Sequence, residues 1–132
     1  MTRFMLDTNT VSHVMRAHPA VTARLTAVPI ANLCISAITE GELLFGLARR
    51  PRATRLRRVV EEFLRRMDVL AWDRASAARY GTTRAALQAL GLVLSPLDLL
   101  IATHAQSIDA VLVSSDHTFR QVDDLSWEDW TA

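Results

Sequence analysis

Phe4-Met5-Leu6-Asp7-Thr8-Asn9 opens the chain with three apolar residues in a row, then an acid, then two short polar side chains. A brief, unbroken apolar run is the mark of a strand buried on both faces, as in a parallel sheet. Arg3–Leu6 therefore reads as the first strand. Thr8 or Asn9 reads as the cap of a helix running to about Ala17. Working outward, Pro19 starts another short helix, Pro29 lies in the link after it, and Asn32–Ser36 is a second apolar strand. Residues 38–48 read as a helix that ends near the Arg49-Arg50-Pro51 break. Thr54 is placed to cap the next helix, in which Leu56, Val59, Val60, Phe63, Leu64 and Met67 form one stripe. Val69–Trp72 is a third strand, and Asp73 caps a long alanine-rich helix that stops at Gly91. Ser95-Pro96, a cap followed by proline, starts a helix to about Ser107. Ala110–Ser114 is a fourth strand, a short turn or helix follows from Asp116, and Leu125-Ser126-Trp127 makes a small edge strand. Strands alternating with helices predict an α/β fold with a central, mainly parallel sheet of four to five strands flanked by helices. The 132 residues show no internal repeat and suggest one domain over residues 1–132.

Composition narrows the class. Half of the residues are hydrophobic and 22% are charged, which excludes a disordered chain. No run approaches the length of a membrane span, and Phe4-Met5-Leu6 is too short for a signal peptide, so a cytoplasmic protein is the expectation. All 15 basic residues are Arg, and eight of them lie in residues 49–66. Only Glu61 and Glu62 oppose them there, which leaves the segment at +6. Glu61–Arg65 and Glu62–Arg66 have favourable i,i+4 spacing and fit a solvated helix face; the remaining arginines suit a phosphate-binding flank. Cys34 is alone and reads as a small buried residue. His13, His18, His104 and His117 lack metal-ligand spacing, and there is neither a Ser-His-Asp pattern nor a glycine-rich phosphate loop.

Four acids carry the chemical signal: Asp7, Glu42, Asp98 and Asp116. Each has a bland reading. Asp7 and Asp116 could cap the helices that follow them, Asp98 sits where an acid favours the helix dipole, and Glu42 could be a solvated acid. Against this, Asp98 heads a face shared with Ile101, Ala102 and Ala105, and a carboxylate leading a buried stripe is costly unless paired or metal-bound. Gly46 lies one turn beyond Glu42 and would allow close approach to the sheet or to a ligand. Parallel strands put Asp7 and Asp116 at the carboxyl edge of the sheet. The returning chain puts the starts of helices 38–48 and 95–107 at that same edge. Convergent carboxylates call for a counter-charge, and a divalent metal held by acids points to phosphate chemistry.

These stretches together resemble the PIN-domain nucleases, and within them the VapC toxins of type II toxin–antitoxin systems. The matching segments are Phe4-Met5-Leu6-Asp7-Thr8-Asn9, then Ser36-Ala37-Ile38-Thr39-Glu40-Gly41-Glu42-Leu43 with Gly46, and Pro96-Leu97-Asp98-Leu99-Leu100-Ile101-Ala102. Val113-Ser114-Ser115-Asp116 with Phe119, and Glu128-Asp129-Trp130, complete a match over nearly the full length. The resemblance implies a Mg²⁺- or Mn²⁺-dependent endoribonuclease. It implies Asp7 and Asp98 as direct metal ligands. Glu42 would ligate through water, hold a second metal or orient the nucleophile, and Asp116 matches a more variable fourth acid. Thr8 and Asn9 would order the end of the first strand, and Ser114 that of the last. It also implies a VapB-like antitoxin partner, for which the arginine-rich helical region is a third reading as the holding surface, an RNA substrate (tRNA among the candidates) and a homodimer. Three rival readings stand beside it. A receiver-like module needs a cleft lysine, and there is none. A phosphatase of the haloacid dehalogenase type needs a second Asp where Asn9 stands. The third rival is a non-catalytic PIN-type module that only binds RNA or protein.

Overall fold

The computed structural model describes all residues, Met1–Ala132. Its five strands are β1 (Phe4–Leu6), β2 (Leu33–Ser36), β3 (Asp68–Leu70), β4 (Val111–Val113) and β5 (Trp127–Glu128). They form one sheet in the order β3-β2-β1-β4-β5, and every pairing is parallel. The six helices are α1 (Thr8–Met15), α2 (Pro19–Thr26), α3 (Ala37–Ala48), α4 (Thr54–Arg66), α5 (Arg74–Ala89) and α6 (Pro96–Ser107). The expected mainly parallel α/β architecture is what the chain adopts. No helix is long and apolar enough to cross a membrane.

Period-two alternation along the strands divides the core in two. Met5, Cys34 and Leu112 point to one face, where α5 and α6 bring Leu87, Leu99, Ile101, Ala102 and Ala105. Leu6, Ile35 and Val113 point to the other, where α1 to α4 bring Val11, Val21, Leu43, Leu47 and Val60. Both faces of the central strands are therefore apolar, which is why their sequences run unbroken. Trp130 seals the second layer, with its ring 5.4 Å from that of Phe4.

The connections determine where a site can form. From β1 the chain winds outward through β2 to β3 with its helices on one face, then returns across the other face to β4. Strand order therefore reverses between β1 and β4. Open α/β sheets bind ligands in the crevice at such a switch point, outside the carboxyl ends of the strands. Asp7 and Ser114 stand immediately after β1 and β4.

Some local expectations need correction. The cap of α1 is Asp7, not Thr8 or Asn9: its Oδ1 accepts the Thr10 N–H at 2.8 Å. Thr54 is the first residue of α4, and Ala53 precedes it without a side-chain cap. The third strand begins at Asp68 and stops at Leu70, leaving Trp72 outside it to donate its indole N–H to Leu100 O at 2.9 Å. Asp73 and Ser95 do cap α5 and α6, and Gly91 takes a φ of +71° just past α5.

Buried His104 joins the layers. Its Nδ1 lies 2.8 Å from Ser36 Oγ, at the junction of β2 and α3. Burial holds its pKa below the usual value, against a smaller upward pull from Asp73. The unfolded chain thus binds a proton at this site before the folded one does, and stability must fall as pH drops below about 6.5. Chemical denaturation from pH 7.5 to 5 is expected to show this slope in the wild type and a flatter one in His104→Gln. Parallel curves would mean that His104 is not the group responsible.

Candidate active site

At the carboxyl edge Asp7 is only 4% exposed. Its backbone N–H donates to Val113 O at 3.1 Å, and Thr10 Oγ1 donates to the same carbonyl at 2.9 Å. The end of β1 is thereby fastened to the end of β4. Burial raises the Asp7 pKa; hydrogen bonds from Ser114 and Thr10 pull it down, and the charge of Asp98 adds a further upward push. That last effect places Asp7 and Asp98 within electrostatic reach of one another. Asp98 arrives on the first turn of α6, where its N–H donates to Ser95 Oγ at 3.3 Å. Its half-buried carboxylate is absent from every side-chain hydrogen bond and ion pair in the protein.

Glu42 lies in the second turn of α3, and its Oε1 accepts the Thr8 hydroxyl at 2.6 Å. Thr8 therefore anchors Glu42 beside Asp7 rather than ordering the end of β1. Asp116 turns away. Its Oδ1 accepts the Thr118 N–H at 2.9 Å and the Thr118 hydroxyl at 2.7 Å, capping the 3-10 turn His117–Gln121. The capping role raised for Asp116 is thus the one its side chain plays here. Ser114 is fully buried, and its Oγ accepts the Asp116 N–H at 3.0 Å. Asn9 is exposed and its side chain enters no hydrogen bond, so it does not order the strand end in the way expected of it. Thr10 carries no signal in the sequence, because its hydroxyl serves the Val113 carbonyl 103 residues away. The Thr8–Glu42 bond had no such signal, because the partners are 34 residues apart.

The four acids accordingly do not close into a single cage. No three His, Cys, Asp or Glu side chains come together as a group able to hold a metal ion. What the edge offers is a pair, Asp7 and Asp98, with Glu42 held nearby by Thr8. No cation of the protein balances the pair. The ion pairs are Arg3–Asp68, Arg24–Glu128, Glu62 with Arg65 and Arg66, and His117–Asp129. This oxygen-donor set fits a hard divalent cation such as Mg²⁺, which binds through one or two carboxylates and keeps several waters.

The family model of the PIN domain matches residues 4–125, most of the chain. The chain belongs to the PIN-domain family. Within it the relatives are VapC proteins. The tRNA(fMet)-specific endonuclease VapC of Shigella flexneri is 35% identical over 132 residues, covering 99% of this chain and all of the relative. Ribonuclease VapC2 of Haemophilus influenzae (strain KW20) is 33% identical, covering 98% and 99%. Among solved structures, DNA-bound VapBC of Salmonella typhimurium superposes with a TM-score of 0.91 at 35% identity, covering 98% and 99% of the two chains. VapBC2 of Rickettsia felis, bound to a promoter DNA fragment, gives 0.89 at 28%, with the same coverage. PIN-domain membership removes the receiver-like and haloacid dehalogenase readings. It leaves the acids to be explained as those of a PIN domain.

A buried, unbalanced carboxylate should weaken the fold that holds it. The raised pKa of Asp7 means that its ionised form is disfavoured in the folded chain, a penalty relieved only as pH falls through that pKa. Asn retains an oxygen to accept the Thr10 N–H while removing the charge. Asp7→Asn is expected to raise the metal-free melting temperature at pH 7 by a few degrees. A lower melting temperature would show that the carboxylate stabilises the fold.

Proposed function

We propose that this chain is the toxin of a VapBC-like pair: a divalent-metal-dependent endoribonuclease that hydrolyses RNA phosphodiester bonds and is neutralised by a VapB-like antitoxin. The observation that carries this reading is the Asp7–Asp98 pair, buried or half-buried at the switch point with no cation of the protein beside it. The names of the VapC relatives, and the VapBC complexes in which the structural relatives were solved, support the same reading. The Shigella relative makes tRNA the first substrate class to test. A cytoplasmic homodimer that assembles with the antitoxin completes the proposal.

Asp7 and Asp98 would hold a Mg²⁺ or Mn²⁺ ion. When bound, that ion supplies positive charge at the scissile phosphate and lowers the pKa of a coordinated water. The protein's own part is positional. The Thr10 N–H fixes the Asp7 carboxylate with Ser114 beside it, and the start of α6 brings Asp98 within its electrostatic reach. Thr8 occupies one Glu42 oxygen and leaves the other to orient the attacking water and accept its proton. Asp116 shapes the rim of the site through its turn.

Purified, antitoxin-free protein is expected to cut total RNA with Mg²⁺ and to stop with EDTA. Asp98→Asn should lower the rate by roughly a hundredfold or more, and Glu42→Gln by about 10²–10⁴. Equal cutting by wild type and Asp98→Asn would place the chemistry elsewhere. No cutting by a folded wild type on any tRNA would leave a PIN module that only binds.

A further inference from the structure

Asp7 and Glu42 are each gripped directly, by the Thr10 N–H at 2.8 Å and the Thr8 hydroxyl at 2.6 Å. Asp98 is not. The one bond that involves a side chain at this residue runs from its backbone N–H to Ser95 Oγ, and its carboxylate joins no ion pair. The place of that carboxylate is therefore set by the backbone of α6 alone.

The helix is fastened unevenly. Its last turns are tied to other elements through His104 to Ser36 at 2.8 Å, Gln106 to Thr83 at 3.0 Å and to the Asp123 carbonyl at 3.1 Å, and Ser107 to Ser76 at 3.2 Å. The first two turns, which carry Asp98, have a single such tie: the Trp72 indole N–H donates to Leu100 O at 2.9 Å. The other bonds there stay within α6 and its cap, from Asp98 N and Leu99 N to Ser95 and from the Thr103 hydroxyl to Leu99 O and Leu100 O. Buried Leu94 and Leu99 press this end of the helix onto the core. Apolar burial has no direction, so it resists separation far better than a small rotation or slide. A hydrogen bond does have direction and weakens steeply off its line.

Trp72 is braced for such a task. It follows β3 by two residues, so its backbone starts from the edge of the sheet. Its half-buried ring meets the Tyr80 ring of α5 edge-on, 6.1 Å between centres. Tyr80 is steadied in turn by Arg84, which donates to its hydroxyl at 2.9 Å and lies 5.8 Å from its ring centre. A backbone carbonyl has two lone pairs, so Leu100 O can take the indole without giving up its place in the helix. Leu100 is two residues past Asp98, and any shift of that carbonyl carries the carboxylate with it.

We infer that Trp72 is the positioning residue for Asp98: its bond to Leu100 O fixes the turn of α6 on which the carboxylate stands. The inference deepens the nuclease reading and rests on it. Trp72 touches neither metal nor RNA in this role; it acts through the helix backbone.

Trp72→Phe keeps an aromatic ring beside Tyr80 and removes the donor. Hydrogen exchange reads the tie without metal or RNA: amides of residues 99–103 should exchange faster in the variant, and those of 105–107 should keep their protection. Mn²⁺ affinity, read without RNA from the paramagnetic resonance of the free ion, should fall roughly tenfold. On RNA, kcat should fall by a similar factor with KM unchanged. Val28→Ala, a truncation against the other core layer, should lower the melting temperature and move none of these readouts. Unchanged exchange in α6 overturns the inference. So does local loosening with wild-type Mn²⁺ affinity and kcat, and so do equal losses in Val28→Ala, which would reduce Trp72 to general stability. A wild type that neither binds Mn²⁺ nor cuts refutes the nuclease reading, and the exchange result then decides by itself whether the tie fixes the Asp98 turn.

Discussion

The Val113 carbonyl accepts two hydrogen bonds, from the Asp7 N–H and from the Thr10 hydroxyl, and so one oxygen ties the ends of β1 and β4 together. The rest of the carboxyl edge is built from that tie. It aligns the last residue of β1 with the last of β4, in the register Leu6 to Val113. It turns the chain at Asp7 into α1 at once, so that the Asp7 side chain caps the helix it starts. It also sets Ser114 next to that carboxylate. Because the strand order reverses at this same pair, the tie lies where the sheet leaves a crevice.

Charge is distributed unevenly around this point. Most arginines cluster on α4 and the turn before it, and those that form ion pairs do so with Asp68, Glu128 and Glu62, away from the crevice. Asp7 and Asp98 are left within electrostatic reach of one another and in no ion pair. A structure selected only for stability would pair or neutralise them. Leaving them unpaired with any arginine concentrates negative charge at the crevice.

Much of this was legible in the sequence, for identifiable reasons. β1, β2 and β4 announce themselves because burial on both faces demands unbroken apolar runs. Asp73 and Ser95 announce their helices because capping is a local bond. β3 was misplaced because its boundaries depend on pairing with β2, in the register Cys34 to Asp68, which no local pattern encodes. Asp7 and Asp98 were legible as neighbours because parallel topology fixes the edge they share. The fate of Asp116 was not, since the choice between a site and its own turn rests on Thr118. Asn9 followed the motif but faces solvent. The Glu42 anchor required knowing which helix lies across from it, and that is a tertiary fact.

The long reach of the sheet has a consequence for how the chain comes to be active. β1 is made first, but its central place is completed only when β4, more than a hundred residues later, pairs with it. Contacts so distant in sequence form late, because the loop between them must close before they contribute any stability. Synthesis at about 5–20 residues per second delivers Asp7 several seconds before Asp98 and Ser114 exist to meet it. A nascent chain therefore carries one carboxylate of the pair and no crevice to hold it. The topology acts as a timer, since the carboxyl edge comes together only when the chain has been made almost in full.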